Sequence, residues 1–262
     1  MRQVYLSPHL DDAVLSCGGA IHRHATGGEA VLVVTFFAAD PPQDRDLSSF
    51  ATLQHEYWGN PSRPMALRRS EDIAALTILG ADELHLEYRD AVYRSGVDGQ
   101  WLYTDLSTLL GEVNPADPLG LDGAQGLAAQ LAELFPEREQ QVLYAPLGAG
   151  HHVDHTLVHT AARELARRGY QVAFYEDYPY AEKHGAVEAA LAQWRDAGWR
   201  STNIPLDEAD LVAKVSSLVY YRSQMAVLFG GAEVMPNRVW SFAGTRSTSI
   251  CMSEQLWWQD SC

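Results

Sequence analysis

The sequence predicts an α/β protein with a mostly parallel sheet that is flanked by helices. Two observations favour this class: strand-like and helix-like segments alternate along the first two thirds of the chain, and the strand-like segments are apolar on both faces. Strands buried on both faces are typical of parallel sheets that are covered by helices on either side. In such sheets, ligands bind at the carboxyl ends of the strands, so we expect the functional residues there.

Five short apolar runs, separated by polar and turn-forming residues, are the predicted strands. The longest continuous apolar run, VLVVTFFAA, is far shorter than the roughly 20 residues that span a bilayer, so it is interpreted as a buried strand. The predicted strands are VYLS (4–7), AVLVVTFFA (30–38), ELHLEY (83–88), QVLYAP (141–146) and QVAFYE (171–176).

Between these strands, apolar residues recur at helical spacing. The segment MALRRSEDIAALTILG, for example, places Ile73, Leu76 and Leu79 on successive turns and ends at Gly80. After the fifth strand the pattern is mostly helical and closes with a less regular tail. The predicted helices run from the first strand to about Thr26, and over about 65–80, 124–135, 151–168, 187–198 and 208–224.

Two long segments with little periodicity, about residues 40–64 and 89–122, interrupt the alternation. Long ordered loops are often functional, so we expect both to shape a binding pocket. The predicted organisation is a Rossmann-like catalytic core over residues 1–180, with a smaller mixed or helical C-terminal part over 181–262 that packs on the same domain.

Composition and charge argue against several classes of protein. The formal net charge of -15 at pH 7 would repel a phosphate backbone, so no nucleic-acid partner is expected. No transmembrane segment and no secretory signal are predicted. The three cysteines, Cys17, Cys251 and Cys262, show no CxxC spacing, and a reducing cytoplasm is the simplest expected location. The pattern does not predict an oligomeric state.

Two clusters of possible metal ligands follow predicted strands. The segment SPHLDD, which ends the first strand, contains His9, Asp11 and Asp12, and HHVDH (151–155) follows the fourth strand. A helix cap would explain one acid at the first position, but not two acids beside a histidine. Because both clusters follow strands of a parallel sheet, we expect them to lie at the same edge.

Together the clusters contain the residue types of a catalytic zinc site. Such a site usually takes three ligands from His, Asp or Glu and leaves one position open. His9 and Asp12 can chelate one ion, and either His152 or His155 is placed to supply the third ligand. Asp11 can then act as the base for a water molecule at the metal.

The segments PHLDD (8–12) and HVDH (152–155) resemble the signature segments of the PIG-L (LmbE-like) family of zinc-dependent N-deacetylases, and the Gly18–Gly19 pair is similar as well. Leu10 and Ala13 stand where many members have Pro and Glu, which limits the transfer of substrate identity. The resemblance implies these roles: His9, Asp12 and His155 as Zn²⁺ ligands; Asp11 as general base; His152 as general acid or oxyanion stabiliser; Asp154 as the group that orients a histidine; Arg68 and Asp90 as substrate-binding residues.

The resemblance also implies an activity. It points to a metal-dependent amidohydrolase that removes the acetyl group from an N-acetylglucosamine-type sugar on a glycoside, a glycolipid or a glycosylated natural product. Trp58, Trp101 and Tyr103, in the long loops, offer faces on which a sugar can stack. One alternative is a zinc-dependent hydrolase of a non-sugar amide. The other is a non-catalytic Rossmann-type binding domain, and the absence of GxGxxG and Walker A patterns from the sequence argues against it.

Several residues near the predicted site also have simpler interpretations. Arg68 and Glu71 can form a solvated pair at helical spacing, and Asp90 can serve only to form a turn. Glu176 and Asp177, near the end of the fifth strand, can border the pocket, although we interpret them as solvated loop acids.

Overall fold

Within residues 1–194, 198–247 and 251–259, which the computed structural model describes, a seven-stranded mixed sheet forms the centre of the fold. The strand order is β3-β2-β1-β4-β5-β7-β6, in which the first five strands of the chain pair in parallel. Strand β7 is antiparallel to both of its neighbours, β5 and β6. The predicted α/β class with a mostly parallel sheet is therefore confirmed.

The strands are β1 (Arg2–Ser7), β2 (Ala30–Thr35), β3 (Asp82–His85), β4 (Gln141–Pro146), β5 (Gln171–Tyr175), β6 (Trp199–Leu206) and β7 (Met252–Gln259). The helices are α1 (Asp12–Thr26), α2 (Ser49–Tyr57), α3 (Pro64–Leu79), α4 (Leu106–Leu109), α5 (Leu121–Leu134), α6 (Val153–Arg167), α7 (Ala186–Gln193), α8 (Glu208–Leu218), α9 (Arg222–Phe229) and α10 (Met235–Thr245). No helix in these described ranges is both long enough and apolar enough to cross a membrane.

Helices cover both faces of the sheet, as the doubly apolar strands predicted. Along β1, Val4 packs into a core with α5 and α6, whereas the next residue, Tyr5, packs into a second core with α1 and α3. This alternation follows from the two-residue period of a strand. The loops at the carboxyl ends of β1, β4 and β5 emerge together between these two layers.

The C-terminal part contains two strands that the sequence pattern did not predict. Strand β7 occupies the stretch interpreted as a less regular tail, and β6 follows the helix predicted over 187–198. Residues 195–197 of that predicted helix, and also Cys262, lie outside the described residues. The single helix predicted over 208–224 is two helices, α8 and α9. The sequences of β6 and β7 give no strong strand signal. These strands form because they pair with each other across a large distance in the sequence, which a local pattern does not reveal. The division near residue 180 stays a prediction.

The Gly18–Gly19 pair lets the C-terminal part approach helix α1 closely. A Cβ atom on Gly19 would lie 2.5 Å from Cδ1 of Leu206, and one on Gly18 would lie 2.9 Å from Cγ of Lys214. Lys214 forms a buried ion pair with Glu254 of β7, with 2.7 Å between Nζ and Oε1. The small residues therefore allow β6, β7 and α8 to pack against the helix that begins at the candidate site.

Candidate metal centre

The loop after β1 turns directly into helix α1 and places two acids side by side. Asp11 is the residue before the helix, yet its side chain makes no capping hydrogen bond. Asp12 turns back instead, and its Oδ2 accepts a hydrogen bond of 2.8 Å from the backbone N–H of His9. Helix capping therefore does not explain the two acids, and both residues line the cavity beside them.

Three ligand atoms converge at this point. Oδ2 of Asp12 lies 3.0 Å from Nδ1 of His9 and 3.2 Å from Nε2 of His155, which comes from the first turn of α6. All three residues are buried. Burial by itself raises the pKa of Asp12, but the nearby His155 and His9 hold it well below its ordinary value, so the carboxylate is charged.

The second ring nitrogen of each histidine is held by another buried carboxylate. Nε2 of His9 lies 3.0 Å from Oδ2 of Asp154, and Nδ1 of His155 lies 2.6 Å from Oδ1 of Asp177. Hydrogen bonds of this kind fix the orientation and tautomer of metal-binding histidines. The three atoms that face one another are therefore Nδ1 of His9, Oδ2 of Asp12 and Nε2 of His155.

A second set of possible ligands, His9, His152 and Asp154, also has its atoms within 4.8 Å of one another. In this set Asp154 is already engaged: its Oδ1 accepts a hydrogen bond of 2.5 Å from Arg94, and its Oδ2 accepts one of 3.0 Å from the backbone N–H of Ala91. Its side chain is fully buried behind His9. We therefore regard the set with Asp12 and His155 as the candidate metal centre.

Asp177 contacts His155, a role that the sequence analysis did not predict. The expectation of solvated loop acids was wrong, because Glu176 and Asp177 are both buried. Besides His155, Asp177 accepts hydrogen bonds from the backbone N–H groups of Gly148 and Ala149, at 2.8 and 2.9 Å. It thus ties the loop after β4 to the end of β5. Its position just after a parallel strand, at the edge with the two histidine clusters, was the available signal.

Arg94 connects the candidate metal centre to the long loop of residues 89–122. This buried guanidinium binds Asp154 on one side and Asp117 on the other, with 2.9 Å between Nε and Oδ2 of Asp117. The hydroxyl of Tyr103 donates a second hydrogen bond to Asp117, at 2.6 Å. Tyr103 therefore serves this network, and its buried ring offers no free face to a sugar.

Asp11 lies beside the centre, and its partner is Arg68. One guanidinium nitrogen of Arg68 is 3.4 Å from Oδ1 of Asp11. Burial raises the pKa of Asp11 to about 6, while Arg68 acts in the opposite direction. A carboxylate with a pKa near neutrality is suited to accepting a proton and releasing it again.

The interpretation of Arg68 and Glu71 as a solvated pair was wrong, because both side chains are buried. Glu71 instead accepts hydrogen bonds from the backbone N–H and the hydroxyl of Ser223, at 3.0 and 2.6 Å. Arg68 lies over the ring of Trp58, with 4.9 Å from its Cζ to the ring centroid. Helix α3 therefore presents Arg68 to the site and anchors α9 through Glu71.

A cavity of about 500 Å³ opens onto this arrangement. Six of the eight predicted site residues line it, and the other two, Asp154 and His155, lie behind them. Trp58 also lines the cavity, whereas Trp101 packs against Arg45 with 3.8 Å from Cζ to the ring centroid. The six predicted residues that line the cavity are His9, Asp11, Asp12, Arg68, Asp90 and His152.

Asp90 and His152 occupy positions that combine structural and chemical roles. Oδ1 of Asp90 accepts a hydrogen bond of 3.1 Å from the backbone N–H of Val92, so the residue does form a turn. Its Oδ2 lies 3.6 Å from Nε2 of His9. His152 precedes α6, and its Nδ1 accepts a hydrogen bond of 3.2 Å from the backbone N–H of Asp154. The Nε2 of His152 must then carry the hydrogen in the neutral ring.

The two other histidines near the second cluster lie outside the centre. His159, one turn after His155, is buried, and its Nδ1 lies 2.8 Å from the carbonyl oxygen of Pro146, while its ring stacks on Trp194. His151 is half-buried in the loop before α6 and has a φ of 58°. Neither residue belongs to the two groups of possible metal ligands found in the described part of the chain.

The fold and the convergent His–Asp cluster define an α/β protein with a candidate metal centre at the carboxyl edge of its parallel strands. The chain belongs to the PIG-L family: the family model described as GlcNAc-PI de-N-acetylase matches residues 4–166. The resemblance inferred from PHLDD and HVDH is thus confirmed, and the matched region contains all eight predicted site residues.

Individual relatives are also similar to this chain. The 2'-N-acetylparomamine deacetylase of Streptomyces fradiae is 31% identical over 189 residues, which cover 71% of this chain and 60% of that protein. The zinc-inhibited form of teicoplanin deacetylase Orf2 superposes with a TM-score of 0.83 at 28% identity, covering 100% of this chain and 99% of the other. A deacetylase of teicoplanin biosynthesis in complex with teicoplanin gives 0.82 at 27% identity, with both chains fully covered.

Proposed function

We propose that this chain is a zinc-dependent N-deacetylase that hydrolyses the acetamide of an N-acetylglucosamine-type sugar within a larger glycoside. The observation that carries the proposal is a buried His9–Asp12–His155 cluster with a carboxylate of raised pKa, Asp11, beside it in one cavity. The family match and the relatives that are described as deacetylases support the same reaction.

The residues present fit a zinc ion. Two imidazoles and one carboxylate are the donor set of many catalytic zinc sites, which leave further positions open for water and substrate. The outer nitrogens of His9 and His155 are both held by carboxylates, as metal-binding histidines usually are. A bound zinc ion would supply Lewis-acid activation of the amide carbonyl and of a water molecule.

In this proposal Asp11 is the general base. It removes a proton from the attacking water and later returns it to the nitrogen of the leaving amine, so the reaction yields acetate and the free amino sugar. Arg68, at 3.4 Å, keeps the carboxylate in place and favours its charged form at the start of the cycle. The neighbouring Asp12 is engaged by two histidines, which leaves the proton transfer to Asp11.

His152 is proposed to stabilise the oxyanion of the tetrahedral intermediate. Because its Nδ1 accepts a backbone hydrogen bond, its Nε2–H is available as a donor toward the cavity. Burial holds the pKa of His152 well below its ordinary value, so the ring is a neutral donor rather than an acid. A preorganised donor of this kind favours the transition state because it needs no reorientation.

Zinc quantification combined with acetate release tests the proposal. We expect one equivalent of zinc per chain after reconstitution, and acetate release from N-acetylglucosaminides that a chelator abolishes and one equivalent of zinc restores. Because a related structure is described as zinc-inhibited, zinc should not be added in excess. The panel should include acetylated amino acids and other non-sugar amides. Release from those amides alone would favour the alternative hydrolase, and a protein that binds no zinc would contradict the proposal.

The adjacent acids Glu176 and Asp177 offer a matched test of the outer carboxylates. Asp177→Asn removes the charge that holds His155 and sets an amide group against the N–H groups of Gly148 and Ala149. We expect zinc affinity to fall by about 10–100-fold. Glu176→Gln is the control, because Glu176 binds Arg246 and Trp257 but not His155. Competition with a chromophoric chelator measures the zinc affinity of both variants. Equal losses of zinc affinity in the two variants would contradict the role of Asp177.

A further inference from the structure

The cavity at the candidate metal centre is also lined by aliphatic side chains from two separate helical segments. Leu106, Leu109 and Leu110 come from α4 and the residue after it, within the long loop of residues 89–122, and Val227 and Leu228 come from α9. These five residues are called the aliphatic wall below. They share one cavity with Asp11 and the metal-site residues, so a molecule held there can reach both.

The aliphatic wall is accessible at Leu106 and Val227, whereas Leu109 is buried and belongs to a hydrophobic core. Leu106 is 62% exposed and Val227 is 48% exposed. Isolated exposed aliphatic residues are common, but a set that faces one cavity together with convergent polar groups is typical of a ligand site. Leucine and valine side chains cannot form hydrogen bonds with the hydroxyls of a sugar ring. They contribute favourably to the free energy of binding only when an apolar part of the ligand covers them.

The carboxylates that line the same cavity already have partners. Asp11 faces Arg68, Asp12 faces two histidines, and Glu182 forms an ion pair with Arg238. The remaining lining carboxylate among the described residues, Asp90, caps a turn and lies near His9. A polycationic substituent would therefore find no lining carboxylate in the described part of the chain that is free to neutralise it, although the net charge of the chain is -15.

We propose that the substrate is an N-acetylated sugar that carries an apolar aglycone, and that the aglycone lies on the aliphatic wall while the acetamide lies at the metal centre. This inference rests on the proposed function and specifies its substrate class. The polar residues at the strand ends bind the acetylated sugar, and α4 and α9 select what is attached to it. Each CH₂ group buried on the wall is worth about fourfold in affinity.

The test compares the methyl and the octyl glycoside of N-acetylglucosamine, which share the acetamide and differ only in the aglycone. We expect the octyl glycoside to have a KM at least about tenfold lower, since several CH₂ groups are buried. The ratio of the two KM values is the informative quantity, because damage to the metal centre affects both substrates alike.

Two valines of nearly equal exposure supply a matched pair of variants. Val227→Asn, on α9, should reduce the KM ratio by about fourfold through lost apolar contact. Val212→Asn, on α8, has the same change at a residue that is 50% exposed and is absent from the cavity lining, so it should leave the ratio unchanged. Leu106→Asn is a second variant on the opposite side of the wall and should act like Val227→Asn.

Calorimetric binding of both glycosides to the metal-free protein answers the question separately from hydrolysis. Tighter binding of the octyl glycoside, weakened by Val227→Asn but not by Val212→Asn, is the expected result. Equal binding of the two glycosides overturns the inference about the aglycone. If acetate is still released from both, the proposed deacetylase function remains supported. If the octyl glycoside binds more tightly but no glycoside releases acetate, the aliphatic wall is supported as an apolar binding site and the proposed function is contradicted.

Discussion

Replacing Asp11 by Asn is expected to reduce kcat for acetate release by about 10²–10⁴-fold, because the amide cannot accept the proton of the attacking water. The change is nearly isosteric, and the amide oxygen can still accept the hydrogen bond from Arg68. The zinc content should remain at one equivalent, since the ligand atoms come from His9, Asp12 and His155. Removing a negative charge next to Asp12 also lessens repulsion within the turn.

A control for this variant is Asp72→Asn. Asp72 is a buried carboxylate that binds Tyr221 and His85 and does not line the cavity. We expect it to lower stability while kcat stays within a few-fold of the unchanged protein, which separates the loss of a base from the loss of a buried acid. Full activity of Asp11→Asn would show that another group moves the proton, and loss of zinc from it would show that Asp11 helps to hold the metal.

Replacing Arg94 by Met is expected to have the largest effect on stability. The guanidinium lies between two fully buried carboxylates, Asp154 and Asp117. Its removal leaves Asp117 without a cation and Asp154 with only His9 beside it, and breaking a buried ion pair in this way costs about 3–5 kcal/mol of the free energy of unfolding. Denaturant unfolding of the metal-free protein measures this loss without any contribution from bound metal.

The same variant should also weaken zinc binding by about 10–100-fold, because Asp154 holds the outer nitrogen of His9. Arg94→Lys keeps the charge but not the two-sided fork, so we expect it to recover part of the stability and part of the affinity. Arg246→Met is the control: Arg246 pairs with buried Glu176, whose carboxylate does not touch the metal-site histidines. If the Arg94 variant lost stability but bound zinc normally, Arg94 would be structural only.

The motifs and most of the core were readable from the sequence because they are local. Each buried strand and its following helix carries its own periodicity, so β4 was placed over 141–146 and α3 was closed at Gly80, which adopts a φ of 74°. The carboxyl ends of parallel strands share an edge by topology, which was enough to bring PHLDD and HVDH together before any distance was known.

Strands β6 and β7 and the buried state of Asp177 were decided only by tertiary structure. β7 lies between β5 and β6 because it pairs with segments that are far away in the chain. Polar and apolar residues alternate too weakly along β7 to predict a strand. An acid after a strand looks the same in the sequence whether water or a histidine faces it. Only the approach of α6 to the end of β5 places His155 within 2.6 Å of Asp177.

The sequence by itself determined the α/β class, the family and the eight residues expected at the site, since these depend on residue type and order. The tertiary structure decided how those residues are divided between the cavity and the layer behind it. It also brought Arg94 to Asp154 and Asp177 to His155, and it placed leucines of α4 and aliphatic residues of α9 in one cavity. Buried charges must be paired wherever the chain folds back on itself, and such pairs join segments that no local pattern connects.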